Sequence, residues 1–215
     1  MLHQCLVYCI GFITVWSIGL SLIIYLTHMC ALLKLTSYRI ENVFEKNILA
    51  ISNPKRKQYL LHQRIVRAVV MHRRAIEFSN IIMSSFNVPY CIILILGVLS
   101  LSVNFFRLLR AIMMQNMYQL IASTLFIIFH FLFLFLGNYY GQKITDCNNE
   151  VFYTVYNVQW YDAPVKIQKL FLFIMQNTTT PYILNIGNLI FASVEGFFKL
   201  VSMSMSYFTV IYTLM

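Results

Sequence analysis

The 215-residue sequence predicts an all-α fold: a polytopic transmembrane helical bundle with four spans, the last segment split into a short helix and a spanning helix. Three observations predict it. The chain is 60% hydrophobic with a mean hydropathy of +0.71, and only 11% of its residues are charged, where a soluble domain carries about a quarter. The apolar residues are grouped into runs that reach the roughly 20 residues needed to cross about 30 Å of hydrocarbon. These runs do not alternate with period two, which disfavours a β-barrel.

The first span runs from about Leu6 to Leu33, within a segment 1–35, and carries Trp16 and Tyr25. Residues 36–77 are basic but still helically periodic. Ile40, Val43, Phe44 and Ile48, then Leu60, Leu61, Ile65 and Val69, recur at three- and four-residue steps. Asn53-Pro54 is expected to break this stretch into two amphipathic helices. Residues 78–140 hold the second span, about Ser79 to Phe106 with Pro89 inside it, a short connection, and a phenylalanine-rich third span from about Tyr118 to Tyr140. Residues 141–181 begin as a polar linker, Gly141 to Asn149. They continue into a short helix, about Pro164 to Gln176, that is too short and too charged to span. Asn177-Thr178-Thr179-Thr180-Pro181 is expected to stop it. The final helix is expected over 182–215.

Loop charges set the orientation. Ten of the sixteen basic residues lie between Lys34 and Arg74, flanking spans, which marks the first connection as cytoplasmic. The C-terminus then falls outside. The same placement removes the nucleic-acid reading that a net charge of +9 invites. A first span entering from outside implies preceding segments, so Met1 is expected to open a fragment. No removable signal peptide is expected at the N-terminus, which lacks a basic region and a small-residue cleavage site. The five cysteines suggest neither a disulfide framework nor a zinc site.

No catalytic arrangement is found: there is no glycine-rich phosphate loop, nucleophile elbow or HExxH. The five histidines are too scattered for a metal site, and no cofactor is expected. His130, inside the third span, is a functional candidate by its position, though a neutral histidine bonded within the bundle is the commoner case. Glu195 and Lys199 are four apart, in the favourable order for a helical ion pair. They face either the protein interior or a water-filled cavity, or else they lie at the cytoplasmic boundary; both readings stay open. Beyond them Ser202, Ser204, Ser206, Thr209 and Thr213 alternate with apolar residues, and Val210 and Leu214 share one face. A ring of such residues from several subunits makes a constriction that gates by dewetting.

In Tyr156 to Lys169, with its Trp160-Tyr161-Asp162-Ala163-Pro164-Val165-Lys166 run, in Ser206 to Leu214, in His28-Met29-Cys30-Ala31 and in His72-Arg73-Arg74, the sequence resembles the insect odorant receptors. These are seven-span odorant-gated cation channels, and the four spans here resemble the last four of the seven. The resemblance implies a plasma-membrane protein, C-terminus outside, that assembles as a heterotetramer with a co-receptor. The intracellular helices would form an anchor domain and the final helix would line the pore. Val210 and Leu214 align with the family's apolar gate positions, and Tyr207 with its tyrosine one turn earlier. An odorant pocket is implied in the outer half of the bundle. The walls available to it are Trp16, Leu20 and Ile24 of the first span and Tyr118, Ile121 and Leu125 of the third, apolar and aromatic as a small volatile ligand needs. None of these six is a motif match, and each serves bundle packing equally well. The implied function is an odorant-binding subunit of a nonselective cation channel. The competing readings are a gustatory-type receptor channel, a G-protein-coupled chemoreceptor, which needs a cytoplasmic C-terminus, and a transporter or membrane enzyme, which needs charge pairs buried across several helices.

Overall fold

Four of the helix ends follow from capping chemistry that can be read at single residues. A computed structural model describes residues 2–45, 52–179, 185–186 and 190–214. Helix α1 is Leu2–Glu41 and runs into a single 3₁₀ turn, Asn42–Phe44. Helix α2 is Pro54–Met113. Its start is fixed by Asn53, whose Oδ1 accepts the backbone N–H of Lys55 at 3.1 Å and of Arg56 at 3.3 Å. Pro54 takes the first helical position, where a missing N–H costs nothing. The helix ends with Gln115 at φ 51°. Asn116 N–H donates to the Ala111 carbonyl at 3.1 Å and Gln115 N–H to that of Ile112 at 3.2 Å, which satisfies two terminal carbonyls. Asn116 Oδ1 then accepts from Gln119 N–H at 3.2 Å and opens α3, Met117–Asn157. One residue therefore closes one helix and caps the next.

After a 3₁₀ turn at Trp160–Asp162 comes α4, Val165–Thr178. Two-residue strands β1 (Asn185–Ile186) and β2 (Ile190–Phe191) pair antiparallel, Asn185 with Phe191 and Ile186 with Ile190. Helix α5, Val194–Thr213, is capped by Ser193, whose Oγ accepts Gly196 N–H at 3.0 Å. Three described helices are long and apolar enough to cross a membrane: Ile13–Phe44, Pro54–Met113 and Met117–Asn157. Only 28, 28 and 11% of their most apolar windows is buried, so most of that surface faces outward, as lipid-exposed helices require. The chain is a multi-pass helical membrane protein.

Several expected boundaries move. The divisions at 35/36 and 77/78 fall inside unbroken helices, since α1 and α2 each continue from a span into the basic region. The linker expected at 141–149 is helical throughout. Ile144, Cys147, Asn148, Val151 and Val155 explain it: they recur at helical spacing and are all buried. The final helix begins at Val194, not near Tyr182. Serines, threonines and tyrosines interrupt its apolar residues. Of the break expected at 177–181, Thr178 and Thr179 hydroxyls donate to the Met175 and Gln176 carbonyls at 2.8 and 2.7 Å. Ile48, Thr180, Pro181 and Tyr182 lie outside the described residues.

The chain divides into two units. The first comprises 1–23, 84–142 and 184–215. Aromatic rings join its helices: Phe105 of α2 meets Phe131 of α3 and Phe208 of α5, with centroids 6.4 and 6.0 Å apart. Phe197 of α5 sits 6.0 and 5.5 Å from Phe131 and Phe135. Ser102 Oγ donates to the Ser204 carbonyl at 3.0 Å, tying α2 to α5. The second unit comprises 24–83 and 143–183. Its core is apolar, with Leu26, Met29, Leu33, Ile40, Ile65, Ile144, Ile167, Phe171 and Ile174 all fully buried. Arg64 Nη1 donates to the Asn42 carbonyl at 2.7 Å and to Glu45 at 2.8 Å. Asn148 Nδ2 donates to the Thr178 carbonyl at 2.7 Å and holds α3 to α4. Arg107, Arg110, Glu195 and Lys199 are the charged residues of the first unit; all others belong to the second.

Candidate functional site

Two cavities and one helix face in the first unit hold the chemistry. The larger cavity, about 400 Å³, is lined by Trp16, Ile93, Gly97, Phe126, His130 and Phe133, among others. That volume lies in the range of small-molecule pockets. A smaller one, about 30 Å³, lies between Trp16 and Leu20 of α1, Pro89 and Tyr90 of α2, and Phe133 and Gly137 of α3. The two share Trp16, Ile93 and Phe133. The Trp16 and Phe133 rings meet edge-on at 5.9 Å, and Trp16 meets Phe129 at 6.4 Å. Gly19 makes this approach possible: a Cβ there would come within 2.6 Å of Phe133 Cε2, closer than carbon atoms pack.

Of the six pocket residues expected from sequence, the structure brings Trp16 and Leu20 to a cavity wall. Ile24 belongs to the second unit and is 66% exposed. Tyr118, Ile121 and Leu125 are exposed and line neither cavity. They occupy a stripe of α3 beside the one that carries Phe126, His130 and Phe133. His130 is half-buried and stacks on Phe126 at 5.4 Å. Sequence reasoning missed the α2 wall, Phe86, Pro89, Tyr90 and Ile93. The signal available was a proline followed by a tyrosine in mid-span, opposite glycines at 19 and 137.

On α5, Gly196, Phe197, Leu200 and Ser204 are buried. Tyr207, Val210 and Leu214, toward its C-terminal end, are 47, 53 and 81% exposed. The hydroxyls of Ser206, Thr209 and Thr213 donate to carbonyls of their own helix at 2.7–3.0 Å, so they need no further partner in lipid or water. The Lys199 and Glu195 side chains pair at 2.7 Å, and both are exposed. The pair is therefore not buried in the interior of its own unit. No grouping of three or more metal-ligating side chains occurs among the described residues.

The first unit thus sets a small apolar cavity among helices apolar enough to cross a membrane. The profile of the family described as 7tm Odorant receptor matches residues 2–205, and the chain belongs to that family, one of receptors rather than enzymes. It is 25% identical over 200 residues to Odorant receptor 94a of Drosophila melanogaster, covering 93% of this chain and 48% of that protein. It is 22% identical over 156 residues to Odorant receptor 33b of the same fly, covering 73% and 41%. The chain spans about half the length of the curated relatives it matches.

Proposed function

We propose that the chain is part of an odorant-binding subunit of a nonselective cation channel in the plasma membrane. It would work in a heterotetramer with co-receptor subunits, its C-terminus outside the cell. Helix α5 lines the pore, Val210 and Leu214 form the apolar constriction with Tyr207 one turn below, and Glu195 and Lys199 stand in the vestibule. The second unit, water-facing and holding most of the charge, anchors subunits together on the cytoplasmic side. Odorant in the cavity around Trp16 favours the state in which the constriction wets, by no more than its differential affinity for that state.

The observation that carries this reading is the two-faced α5. One side is seated on α2 and α3 through Phe197, Ser204 and Phe208, while the apolar side chains of Tyr207, Val210 and Leu214 stay exposed beside it. Four such faces around an axis give a ring that excludes water until they move apart. Val210→Ser, in a receptor that contains this chain and is coexpressed with a co-receptor, is expected to raise the odorant-free current or shift ion selectivity. Unchanged basal current and selectivity would remove Val210 from the gate.

A further inference from the structure

We propose that the Tyr90 hydroxyl is the polar contact of the ligand cavity and selects odorants carrying a carbonyl oxygen over hydrocarbons of the same length. This rests on the odorant-binding reading of the first unit. Tyr90 is only 6% exposed, and its hydroxyl has no hydrogen-bond partner among the described residues. A buried phenol normally finds one, and leaving it unpaired costs more than an average hydrogen bond contributes. The hydroxyl lies against Gly137 of α3, where a Cβ would sit 3.5 Å from it. Its surroundings in the small cavity are Trp16, Phe86, Pro89, Phe133 and Leu134, none of which offers a side-chain acceptor.

The group is therefore a donor held in an apolar wall, and a ligand oxygen supplies what the fold withholds. The small cavity is too tight for an odorant body, but it shares Trp16 and Phe133 with the larger one. Turning that ring pair joins the two spaces. The alkyl body then lies along Ile93, Phe126 and Phe133, and the oxygen reaches Tyr90. A carbonyl suits the site because it only accepts, and a phenol is a stronger donor than acceptor. An alkane fills the larger cavity equally well but leaves Tyr90 unpaired. Sites built to bond one oxygen discriminate against analogues lacking it for this reason.

The chain has two tryptophans, so a Trp160→Phe background leaves Trp16 emission as a reporter in the cavity wall. In that background, reconstituted in lipid nanodiscs, straight-chain ketones from hexanone to decanone are titrated beside the alkanes of the same length. The expected result is saturable quenching by at least one ketone, weakened about fivefold by Tyr90→Phe, the scale of one hydrogen bond, with alkane binding unchanged. Equal weakening of ketone and alkane, or no weakening of either, overturns the role of Tyr90 while leaving the cavity's odorant reading intact. Failure of every ketone and alkane to perturb Trp16 saturably in the unmutated pocket overturns the odorant reading, and the Tyr90 proposal with it.

Discussion

His72 illustrates what single residues decide in this chain. It lies in the basic region and precedes Arg73 and Arg74, a context that suggests a solvated, readily protonated imidazole. Instead it is fully buried, and neither ring nitrogen has a partner among the described residues. Burial lowers its pKa from 6.5 to about 4. The sign of the consequence follows from proton counting: between those values the unfolded chain binds a proton that the folded chain refuses. Stability is full above about pH 6.5 and is lost as pH falls toward 4, at roughly 1.4 kcal/mol per pH unit. Thermal unfolding in detergent should therefore show a melting point that drops between pH 7 and 5, and His72→Phe should flatten that drop. An identical pH dependence in the variant would place its source elsewhere. Position in sequence gave His72 a family resemblance and a basic neighbourhood, but not its burial, because the apolar face of α2 turns it inward.

At the scale of elements, the periodic signals were legible and the punctuation was only partly so. Asn53-Pro54 read as a break and is a cap with proline at the first helical position. The short helix after Pro164 stands where the apolar spacing put it, although Val165 and Phe173 of its apolar set are exposed while Ile167 and Phe171 are buried. The polar composition of 141–149 hid a buried stripe, since Asp146, Asn149 and Glu150 fill the outer face of a helix whose inner face is Ile144, Cys147 and Val151. The start of α5 was misplaced because the run from Tyr182 is apolar, whereas Gly187-Asn188 between the paired strands is a turn signal. Of the pocket, the α1 wall was visible as an aromatic in a span. The α2 wall was not, because it depends on which helices touch. Gly141 tests this account of how the lead into α5 is seated: a Cβ there would collide with the carbonyl and methyl of Ala192. Gly141→Ala should lower stability by about 1–3 kcal/mol, the usual cost of overpacking, read as a reduced melting temperature in detergent. An unchanged melting point would mean that the segment before α5 yields freely.

At the scale of the whole molecule, two kinds of surface divide the chain. The first unit exposes apolar side chains such as Ile92, Ile95, Leu96, Leu99, Ile121 and Leu125, and four charged residues interrupt it. The second has a fully buried apolar core, leaves others such as Ile24, Val165 and Phe173 exposed, and carries the remaining charge. Lipid is the solvent that suits the first and water the one that suits the second. The uneven distribution of charge behind this division was legible from the sequence, ten of the sixteen basic residues falling between Lys34 and Arg74. The central claim is that the exposed face of α5 borders a water-filled axis. It is tested most directly by Val210→Cys in a receptor containing this chain, coexpressed with a co-receptor and treated from outside with a charged, membrane-impermeant methanethiosulfonate during odorant application. The account predicts a progressive, irreversible change in odorant-evoked current that is absent without the new thiol. A current indifferent to the reagent, with the protein present at the cell surface, would contradict it.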